Sequence, residues 1–463
     1  MNLNGKHVLV LGLGESGLAS ALWCARQGAR VRVADTRAAP PYLAELRRRA
    51  PSADFRSGEF DKALLDGIDL LVLSPGLSGG LMVVIHARAA GIPVVGEIEL
   101  FAQALRRLGS VPVLAITGTN GKTTTTALTG HLLRATGKTV GVAGNISPAA
   151  LTALMEAQDA DALPQIWVLE LSSFQLETTE TLYPAAATVL NISDDHLDRY
   201  IDLDEYASAK ARIFRSAEGA PGVQVLNRGD GRVRRMALAD RHLITFGLDA
   251  PAAAEDFGLR MNRGEAWIVQ GEIFLLPVSE LPLAGLHNAA NAMAALALCV
   301  SLGFDANALL PALRSFRGLP HRVEKVAELD GVTWYDDSKG TNVGATVAAL
   351  TGLGGLGRKV VVILGGDGKG QDFSPLKKAV ARHGRAAVLI GRDGPLIEKA
   401  IGGGVSMETA TDMDDAVRRA RALAQSGDAV LLSPACASFD MFRNYEHRAQ
   451  AFVAAVHALE HVA

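Results

Sequence analysis

The sequence has no marked excess of either charge. Its 463 residues carry 46 Lys and Arg against 49 Asp and Glu, a formal net charge of -3. Proteins whose main partner is a nucleic acid usually carry a basic patch or a strongly basic balance. The near-neutral balance therefore argues against nucleic acid as the partner of this chain.

Cysteine is scarce, and long apolar runs are lacking. The three cysteines, Cys24, Cys299 and Cys436, lie far apart and match no metal-ligand spacing. Cys24 and Cys299 fall in apolar helical patterns, so we expect them to be small core residues. The longest apolar helical run, AANAMAALALCVSLG, is shorter than the ~20 residues of a membrane span. Because the N-terminus MNLNGKHVLV also lacks the layout of a signal peptide, we expect a cytoplasmic protein with no membrane partner.

The chain contains no short repeat and no low-complexity tract. Apolar residues make up 49% of it and charged residues 21%, so a large core can form. A strand, a glycine loop and a helix follow one another three times, at HVLVLGLGESG, at VPVLAITGTNG and after LPHR. Short apolar runs separated by helical segments indicate parallel strands with crossover helices. We predict three α/β domains, with boundaries that give residues 1–101, 102–319 and 320–463.

The first glycine loop is Gly12-Leu13-Gly14-Glu15-Ser16-Gly17, which fits the G-x-G-x-x-G fingerprint of a dinucleotide site. Asp35 follows after a second strand-like run, VRVAD. The glycines permit a tight turn and a close approach of the backbone to a diphosphate at a helix N-terminus. The motif alone fits a nicotinamide as well as another nucleotide.

The second glycine loop, ITGTNGKTT, indicates a phosphate-binding site. It lacks the first glycine of a full Walker A motif, since Ile116 stands there. Gly118 and Gly121 allow backbone N–H groups to turn toward phosphate oxygens. Lys122 can reach the terminal phosphates, and the Thr123 hydroxyl can bind a magnesium ion. A plain turn before a helix is the alternative, but the order strand, GK[ST], helix favours phosphate binding.

Two acidic segments follow the next strands. Glu170 ends the strand-like WVLEL, where an acidic magnesium ligand would lie, although a solvent-facing carboxylate fits that position equally well. NISDDHLDRY, residues 191–200, collects Asp194, Asp195, His196 and Asp198. Charge clusters on loops are usually solvated, and histidine is not the ligand that magnesium prefers. This segment is a weak signal by itself.

The segment LDEYASAKARIFRSA predicts an amphipathic helix with Lys210 on its apolar stripe. Lysines at such positions usually extend along the surface so that the charge reaches water. The other interpretation is that Lys210 is buried and held for chemistry, in which case its pKa falls and the neutral, reactive amine is favoured. The pattern leaves both interpretations open.

Taken together, GTNGKTT, LELSSFQLE, NISDDHLDRY and the Lys210 helix resemble the Mur ligases, the ATP-dependent amide-forming enzymes that build the cytoplasmic peptidoglycan precursor. The resemblance extends over the chain through DTR at 35–37, SPG at 74–76, EIELF at 97–101, GLPHR at 318–322, DDSKGTN at 336–342, GGDGK at 365–369 and SPACASFD at 433–440. Within the family the chain most resembles the members that add D-glutamate to UDP-N-acetylmuramoyl-L-alanine through an acyl phosphate. The resemblance implies a Rossmann-like domain for the UDP substrate, a central ATPase domain of the P-loop type and a Rossmann-like C-terminal domain for the amino acid.

The resemblance also implies three binding sites. Residues expected at the UDP substrate are Gly14, Glu15, Ser16, Asp35, Thr36, Arg37, Gly76 and Asn145. Residues expected at ATP are Gly118, Thr119, Asn120, Gly121, Lys122, Thr123, Thr124, Asn288, Asn291, Arg322 and Asp337. Residues expected at the glutamate are Thr341, Lys369, Ser438 and Tyr445. Ser147 stands where many relatives have glycine. Tyr445 stands where some relatives have phenylalanine, so the wall of the glutamate pocket would gain a hydroxyl.

For the chemistry, the resemblance implies magnesium ligands at Thr123, Glu170 and His196. It also implies that Lys210 carries a carbamate made from carbon dioxide, whose oxygens would explain how a lysine helps to bind magnesium. The expected catalytic residues are Lys122, Glu170, His196, Lys210, Arg322 and Lys339. By the same resemblance we expect a monomer.

Three other functions would account for parts of the sequence. A nicotinamide oxidoreductase leaves GTNGKTT and the C-terminal motifs unexplained. A sister ligase that adds diaminopimelate or lysine, or a folylpolyglutamate synthase, is the second alternative; the DNPR motif of the diaminopimelate type is missing and the N-terminal UDP-type unit argues against the folate enzyme. A non-enzymatic nucleotide-binding protein is the third, and retention of Lys122, Glu170, His196, Lys210 and Lys369 together speaks against it.

Overall fold

The N-terminal part of the molecule is a parallel sheet of five strands in the order β3-β2-β1-β4-β5. The computed structural model describes residues 1–109, 111–195, 199–216, 222–354 and 357–459. The strands are β1 (His7–Leu11), β2 (Arg30–Asp35), β3 (Asp54–Ser57), β4 (Leu70–Leu73) and β5 (Val94–Val95). The helices are α1 (Glu15–Arg26), α2 (Leu43–Arg49), α3 (Met82–Ala89) and α4 (Glu97–Leu108). The first glycine loop follows β1, where the strand order reverses and ligands of open α/β sheets bind.

The central part is a sheet of nine strands in the order β14-β13-β12-β11-β10-β9-β6-β8-β7, antiparallel only from β12 to β14. The strands are β6 (Val113–Thr117), β7 (Val140–Gly144), β8 (Ile166–Glu170), β9 (Ala186–Val189), β10 (Val223–Asn227), β11 (Leu243–Phe246), β12 (Phe257–Asn262), β13 (Glu265–Gln270) and β14 (Ile273–Pro277). The helices are α5 (Lys122–Ala135), α6 (Ala150–Asp159), α7 (Ser173–Glu177), α8 (Leu203–Ala211), α9 (Gly231–Arg234), α10 (Leu286–Val300) and α11 (Ala306–Ser315). The second glycine loop joins β6 to α5 in the middle of this sheet.

The C-terminal part is a sheet of six strands in the order β15-β16-β20-β17-β18-β19, in which only β15 is antiparallel to its neighbour. The strands are β15 (Glu324–Leu329), β16 (Val332–Asp336), β17 (Val360–Gly365), β18 (Gly384–Ile390), β19 (Ser406–Thr409) and β20 (Ala429–Leu432). The helices are α12 (Val343–Gly354), α13 (Ser374–His383), α14 (Gly394–Ile401), α15 (Met413–Leu423) and α16 (Tyr445–Leu459). Three α/β units with one sheet each confirm the predicted fold class. The predicted boundary at residue 101 falls inside α4.

The N-terminal and central sheets share one hydrophobic core. Helices α1 and α4 pack against α6, and Phe101 of α4 meets Trp167 of β8 edge to face, with ring centroids 5.1 Å apart. Trp23 and Leu154 are buried in the same cluster. We call these contacts the N-terminal interface. Because large apolar side chains from both parts are buried together, we expect the two parts to behave as one rigid unit.

The C-terminal part meets the central part differently. Helix α12 lies on α10, where Gly352 faces Gly285; a Cβ on Gly352 would lie 3.1 Å from the Cα of Gly285. Polar groups also cross between the parts, from Arg322 to Thr123 and from Asn342, at the other end of α12, to Asn120. We call these contacts the C-terminal interface. The apolar clusters of the C-terminal sheet are made almost entirely of its own residues.

The three cysteines are buried and free, which confirms Cys24 and Cys299 as core residues. Burial raises the pKa of the Cys24 thiol to about 12, so it stays protonated. Among the described residues, no helix combines the length and the apolar character that crossing a membrane requires.

Candidate active site

The second glycine loop has the backbone conformation of a phosphate loop. Gly118 has φ of 146° and Gly121 has φ of 84°, both in the region that favours glycine. A Cβ on Gly121 would lie 2.4 Å from Oδ1 of Asn291, so a side chain there would also clash. Gly121 directly precedes α5, whose free N–H groups face the loop. This geometry suits an anion at the helix N-terminus.

Lys122 lies over this loop. Its Nζ donates to the carbonyl oxygens of Gly118 at 2.9 Å and Thr119 at 2.7 Å. Burial lowers the pKa of Lys122, while Glu170 and Asp195 nearby raise it. A cation held over inward-facing N–H groups would meet the phosphate chain of a nucleotide.

The loop is fixed by the residues that follow β9. Asn191 Oδ1 accepts the backbone N–H of Asn120 at 2.8 Å, and its Nδ2 donates to the Asn120 carbonyl at 3.0 Å. The backbone N–H of Ser193 donates to Thr119 Oγ1 at 3.0 Å. Asn191 was not predicted as a site residue, although the NISDDH motif that it begins was recognised. Its signal was the position of an asparagine directly after a buried strand beside the phosphate loop.

Glu170 has one carboxylate oxygen available. It ends β8, is 2% exposed, and its Oε1 accepts the side-chain amide of Asn145 at 2.7 Å. Its Oε2 is buried and has no hydrogen-bond donor among the described residues. A buried carboxylate oxygen left without a donor is costly unless a cation compensates it. Of the two interpretations open from the sequence, burial excludes the solvent-facing carboxylate.

Lys210 is buried. It is 2% exposed, with Nζ 3.4 Å from Thr117 Oγ1 and 4.5 Å from the centroid of the Tyr206 ring. Burial first, and then the charge of Lys122, lower the pKa of Lys210 well below its usual value of 10.5. The apolar stripe therefore carries an inward lysine, not one that reaches water. The predicted helix is shorter than expected, because Arg212–Phe214 form a 3₁₀ turn.

The predicted magnesium ligand His196 lies outside the described residues. Of the predicted adenine-side residues, Asn288 and Asn291 lie on the first turns of α10 and are buried. Asn291 donates to Asn288 Oδ1 at 3.1 Å, and Asn288 donates to the Ala284 carbonyl at 2.8 Å. Asn291 thus lies beside Gly121 and next to the phosphate loop.

Arg322 brings the C-terminal part to the phosphate loop. Its Nη2 donates to Thr123 Oγ1 at 2.7 Å. Burial lowers the pKa of Arg322, and Glu170 and Asp337 raise it. Burial likewise raises the pKa of Asp337 to about 7, although Ser433 donates to its Oδ2 at 2.7 Å. Positive groups from two parts of the molecule therefore converge on one loop.

Of the predicted glutamate-binding residues, Thr341, Lys369 and Ser438 lie on loops, and Tyr445 begins α16. An antiparallel bridge between Asp367 and Ala437 holds the Lys369 loop beside the Ser438 loop. Lys369 is exposed and Ser438 is buried. Lys339 is partly buried, with Nζ 5.3 Å from the centroid of the Tyr445 ring, and burial lowers its pKa.

Arg448 joins two of these loops and was not predicted. It is 1% exposed, and it donates to the carbonyls of Cys436 at 3.1 Å and Ser338 at 2.8 Å. Burial lowers its pKa to about 10. The signal was an arginine on the inner face of α16, next to Ala449 and in line with Phe452, a pattern of the kind that left both interpretations of Lys210 open.

The predicted UDP residues surround the first glycine loop. Both Asp35 carboxylate oxygens are bonded, one to the N–H of Leu13 at 2.8 Å and both to the Arg37 guanidinium at 2.7 and 2.8 Å. The Arg37 hydrogen bonds lower the pKa of Asp35 to about 2. Gly17 packs so closely that a Cβ would lie 2.0 Å from the Gly12 carbonyl. Thr36 and Gly76 are exposed and line the outside of this region.

Glu15 faces the central part of the molecule. Its Oε2 accepts the Ser147 hydroxyl at 2.8 Å and its Oε1 accepts the N–H of Ala149 at 3.0 Å. Asn145, three residues before Pro148 in the same loop, is the donor to Glu170. One loop thus connects the first glycine loop to the acidic residue beside the second.

Comparisons with known proteins agree with this arrangement. Residues 6–96 match the family described as Mur ligase MurD-like, N-terminal domain; residues 116–299 match the Mur ligase middle domain; and residues 321–436 match the Mur ligase glutamate ligase domain. A protein of Aromatoleum aromaticum named UDP-N-acetylmuramoylalanine–D-glutamate ligase is 61% identical over 99% of this chain and 99% of its own. A protein of Nitrosospira multiformis with the same name is 56% identical over 99% of this chain and 97% of its own.

Solved structures resemble the fold. MurF from Acinetobacter baumannii has a TM-score of 0.61 at 18% identity, over 97% of this chain and 91% of its own. MurC from Thermotoga maritima, named a UDP-N-acetylmuramate–alanine ligase, has a TM-score of 0.59 at 21% identity, over 98% of this chain and 99% of its own. At such identities the likeness concerns the three-part fold alone.

Proposed function

This chain belongs to the Mur ligase family, and we propose that it is the ATP-dependent ligase that joins D-glutamate to UDP-N-acetylmuramoyl-L-alanine. The observation that carries the proposal is the convergence of groups from two domains on the phosphate loop. Lys122 donates to carbonyls of this loop, and Arg322 of the C-terminal domain donates to Thr123 directly after it. Glu170 lies nearby with a buried carboxylate oxygen that has no donor among the described residues. The names of the 61% and 56% identical relatives supply the substrates.

The proposed chemistry starts from a carboxylate, which cannot itself accept an amine because oxide would have to leave. The L-alanyl carboxylate attacks the γ-phosphorus of ATP; an O–P bond forms, the bond to the bridging oxygen breaks, and ADP leaves. The glutamate amine then attacks the acyl carbon of the acyl phosphate. The tetrahedral adduct loses inorganic phosphate and a proton, which leaves the amide.

In the first step the protein acts by positioning and by charge. Phosphoryl transfer needs little covalent help, and fixed cations stabilise charge on the transferred group. Lys122 and Arg322, which both form hydrogen bonds to the phosphate-loop motif, would contact the phosphates. Lys339 would steady the acyl phosphate, because its amine lies close enough to Arg322, Glu170 and Lys122 for their charges to affect its pKa. Asn288 and Asn291 would lie beside the base and Asp337 beside the ribose.

The residues present fit a magnesium ion. Glu170 Oε2 is a buried oxygen without a donor among the described residues, and Thr123 Oγ1 is a second oxygen on the phosphate loop. His196 is the third proposed ligand and Lys210, as a carbamate, the fourth. Bound there, magnesium would neutralise charge on the ATP phosphates.

Lys210 suits carbamate formation because its amine is buried and its pKa is lowered. A neutral amine adds to carbon dioxide with formation of an N–C bond and release of one proton. The product replaces a neutral amine with an anionic oxygen donor, the type of ligand that magnesium prefers.

At the far ends, two sites would hold the substrates. Arg37, oriented by Asp35, would contact the UDP substrate together with Thr36 and Gly76 at the loop that follows β1. Lys369, Ser438 and Thr341 would hold the glutamate, beside the Tyr445 ring. The reaction supplies a cytoplasmic precursor, so we propose the cytoplasm as its location.

The experiment that tests the function is phosphate release from ATP with magnesium, bicarbonate and UDP-N-acetylmuramoyl-L-alanine, with D-glutamate or L-glutamate added in parallel. We expect release that requires both the nucleotide sugar and D-glutamate. Release with L-glutamate alone would change the amino acid and keep the mechanism. No release with either, together with ATP binding, would contradict the proposal.

A separate experiment tests the carbamate. Lys210→Ala should lower turnover by at least about 100-fold, because a proposed oxygen ligand of the magnesium ion that would neutralise the phosphates is lost. Added short carboxylates, which offer the same oxygens, should restore part of the activity. Lys138→Ala is the matched control, because Lys138 is an exposed lysine of the same domain, and its turnover should equal that of the parent. Turnover close to that of the parent in Lys210→Ala would contradict the carbamate.

A further inference from the structure

Asn342 lies at the C-terminal interface and has no role in the site described so far. It precedes α12, and its Oδ1 accepts the backbone N–H of Ala345 at 2.8 Å. This bond caps the helix, a common use of asparagine. The cap uses only the oxygen of the side chain, so the amide NH₂ is directed elsewhere.

The NH₂ group of Asn342 points across the interface. Its Nδ2 lies 3.3 Å from Asn120 Oδ1 and 3.4 Å from Asp195 Oδ2. Asn120 belongs to the phosphate loop and directly precedes Gly121. Asp195 belongs to the loop after β9 that fixes Asn120 through Asn191. One amide therefore bridges the two segments that shape the phosphate loop.

Gly344 allows this approach. A Cβ on Gly344 would lie 2.7 Å from Ser193 Oγ and 3.1 Å from Asn120 Nδ2, closer than side chains pack. Any larger residue would push the start of α12 away from the phosphate loop. The sequence thus provides both a donor and the space that lets the donor reach its acceptors.

We propose that Asn342 is a positioning residue that fixes the phosphate loop when the C-terminal domain docks. Its catalytic consequence rests on the proposed function. Asn191 holds the Asn120 backbone from within the central domain, and the amino-acid domain would add a bond to the Asn120 side chain only in the docked arrangement. ATP phosphates would meet a fully shaped loop only when the domain that carries the second substrate is in place.

The test separates this bond from the helix cap. Asn342→Asp keeps the oxygen that caps α12, and aspartate caps helices as well as asparagine does. It removes both donor hydrogens and places a carboxylate against Asp195. Asn342→Ala removes the cap and the bridge together. The matched control is Asn444→Asp, because Asn444 accepts the N–H of His447 at the start of α16 in the same way, at 2.8 Å.

The primary readout is amide hydrogen exchange of the segment 117–125 in the whole protein without ligands. We expect exchange there to become about threefold faster or more in Asn342→Asp and in Asn342→Ala, and to be unchanged in Asn444→Asp. Exchange in α12 should rise only in Asn342→Ala. Parental exchange at 117–125 in both Asn342 variants would overturn the proposal, whatever the activity of the protein.

The second readout is turnover. Asn342→Asp should lower kcat by about tenfold, with the KM for the nucleotide sugar within about twofold, because a displaced phosphate loop misplaces the γ-phosphate. Gly344→Ala should act in the same direction through its clash with Ser193. If exchange is faster in the Asn342 variants but the parent protein releases no phosphate, the positioning role of Asn342 would be supported and the proposed function would be rejected. A parental kcat in Asn342→Asp would overturn the catalytic part of the inference.

Discussion

The central domain contacts its two neighbours through different kinds of residue, apolar side chains at the N-terminal interface and glycines and polar groups at the C-terminal interface. At the N-terminal interface, large apolar side chains such as Phe101 and Trp167 are buried in one core with Trp23. At the C-terminal interface, Gly285, which directly precedes α10, packs against Gly352 of α12, and Arg322 and Asn342 form hydrogen bonds to the phosphate-loop motif. Apolar burial is strong and non-directional, whereas polar contacts across an interface are weaker and specific in geometry. The difference assigns stability to the first interface and chemistry to the second.

The strongest way to break the N-terminal interface is Phe101→Ala. Phe101 is fully buried, so we expect a loss of about 3–5 kcal/mol in the free energy of unfolding from lost burial and the cavity left behind. The measurement is urea unfolding, followed by hydrogen exchange of peptides from all three domains. Peptides of the N-terminal and central domains should lose protection together, while those around Trp334 in the C-terminal core keep it.

The control for this prediction is Phe439→Ala. Phe439 is 70% exposed, so its removal should change the free energy of unfolding by less than about 0.5 kcal/mol. Loss of protection in the N-terminal domain alone after Phe101→Ala would contradict the view that the two domains form one rigid unit.

Glu97→Gln tests whether the stability of the N-terminal interface depends on pH. Glu97 is 2% exposed at the N-terminal interface, and its Oε1 accepts the N–H of Leu151 at 2.5 Å, while its Oε2 has no donor among the residues that the structure describes. Burial raises its pKa from 4.5 to about 7. Between pH 4.5 and about 7 the folded protein thus keeps a proton on Glu97 that the unfolded chain has lost. The contribution of Glu97 to the free energy of unfolding is therefore fully present below pH 4.5 and falls as the pH rises to about 7. The loss should be on the order of 3 kcal/mol.

Glutamine keeps an oxygen for Leu151 and cannot ionise, so the contribution of this site should become independent of pH. The urea midpoint measured at pH 5, 6, 7 and 8 gives the answer as the difference between parent and variant. That difference should grow in favour of glutamine up to about pH 7 and then level off. A constant difference over this range would show that Glu97 titrates normally. The kcat at a fixed pH should stay the same in both proteins.

Arg322→Ala tests the opposite pattern at the C-terminal interface. We expect kcat to fall by about 100-fold, which corresponds to about 2.7 kcal/mol in the barrier, because a fixed cation next to the phosphates is lost. The free energy of unfolding should change by less than about 1 kcal/mol, since the lost contact is one polar bond across the interface. Phosphate release and urea unfolding measure the two quantities.

Arg317→Ala is the matched control, because Arg317 is an exposed arginine five residues earlier. Its kcat should equal that of the parent. A large loss of stability in Arg322→Ala, with kcat reduced only in proportion to the folded fraction, would show that Arg322 holds the domains together and does not act on phosphate.

Much of this fold follows from local patterns in the sequence. Apolar runs ended by glycine loops predicted the parallel strands β1, β6 and β17 and the helices after them, because burial on both faces leaves a continuous apolar signal. The ribbon from β12 to β14 was not predicted. Its strands are partly exposed, with Met261 68% and Ile273 55% exposed, so alternation of polar and apolar residues is weak there.

The site divides in the same way. The phosphate loop could be identified because its glycine motif is a local signature. The helical pattern left the burial of Lys210 open, and its expected role came from the resemblance to the Mur ligases. Arg448, like Lys210, is a charged residue on the apolar face of its helix, but α16 contains no motif of the family that would have indicated a role for it. The bond between Asn342 and Asn120 joins residues 222 positions apart, and no local pattern contains it. Contacts between domains depend on how the domains meet, which spacing along the chain does not encode.

Ser147→Gly is the last prediction and has the smallest expected effect. The hydroxyl donates to Glu15 Oε2 at 2.8 Å, but Ser147 is exposed, and the N–H of Ala149 still holds Oε1 when the hydroxyl is gone. We expect the KM for the nucleotide sugar to rise about twofold to threefold, because exposed bonds of this kind contribute roughly 0.5 kcal/mol. Stability and kcat should be unchanged, and Ser147→Thr, which keeps the hydroxyl, should match the parent. Initial rates at several nucleotide-sugar concentrations measure the effect. A fall in kcat instead would mean that the loop acts through Asn145 on Glu170, so that even the apolar N-terminal interface carries a polar path to the chemistry.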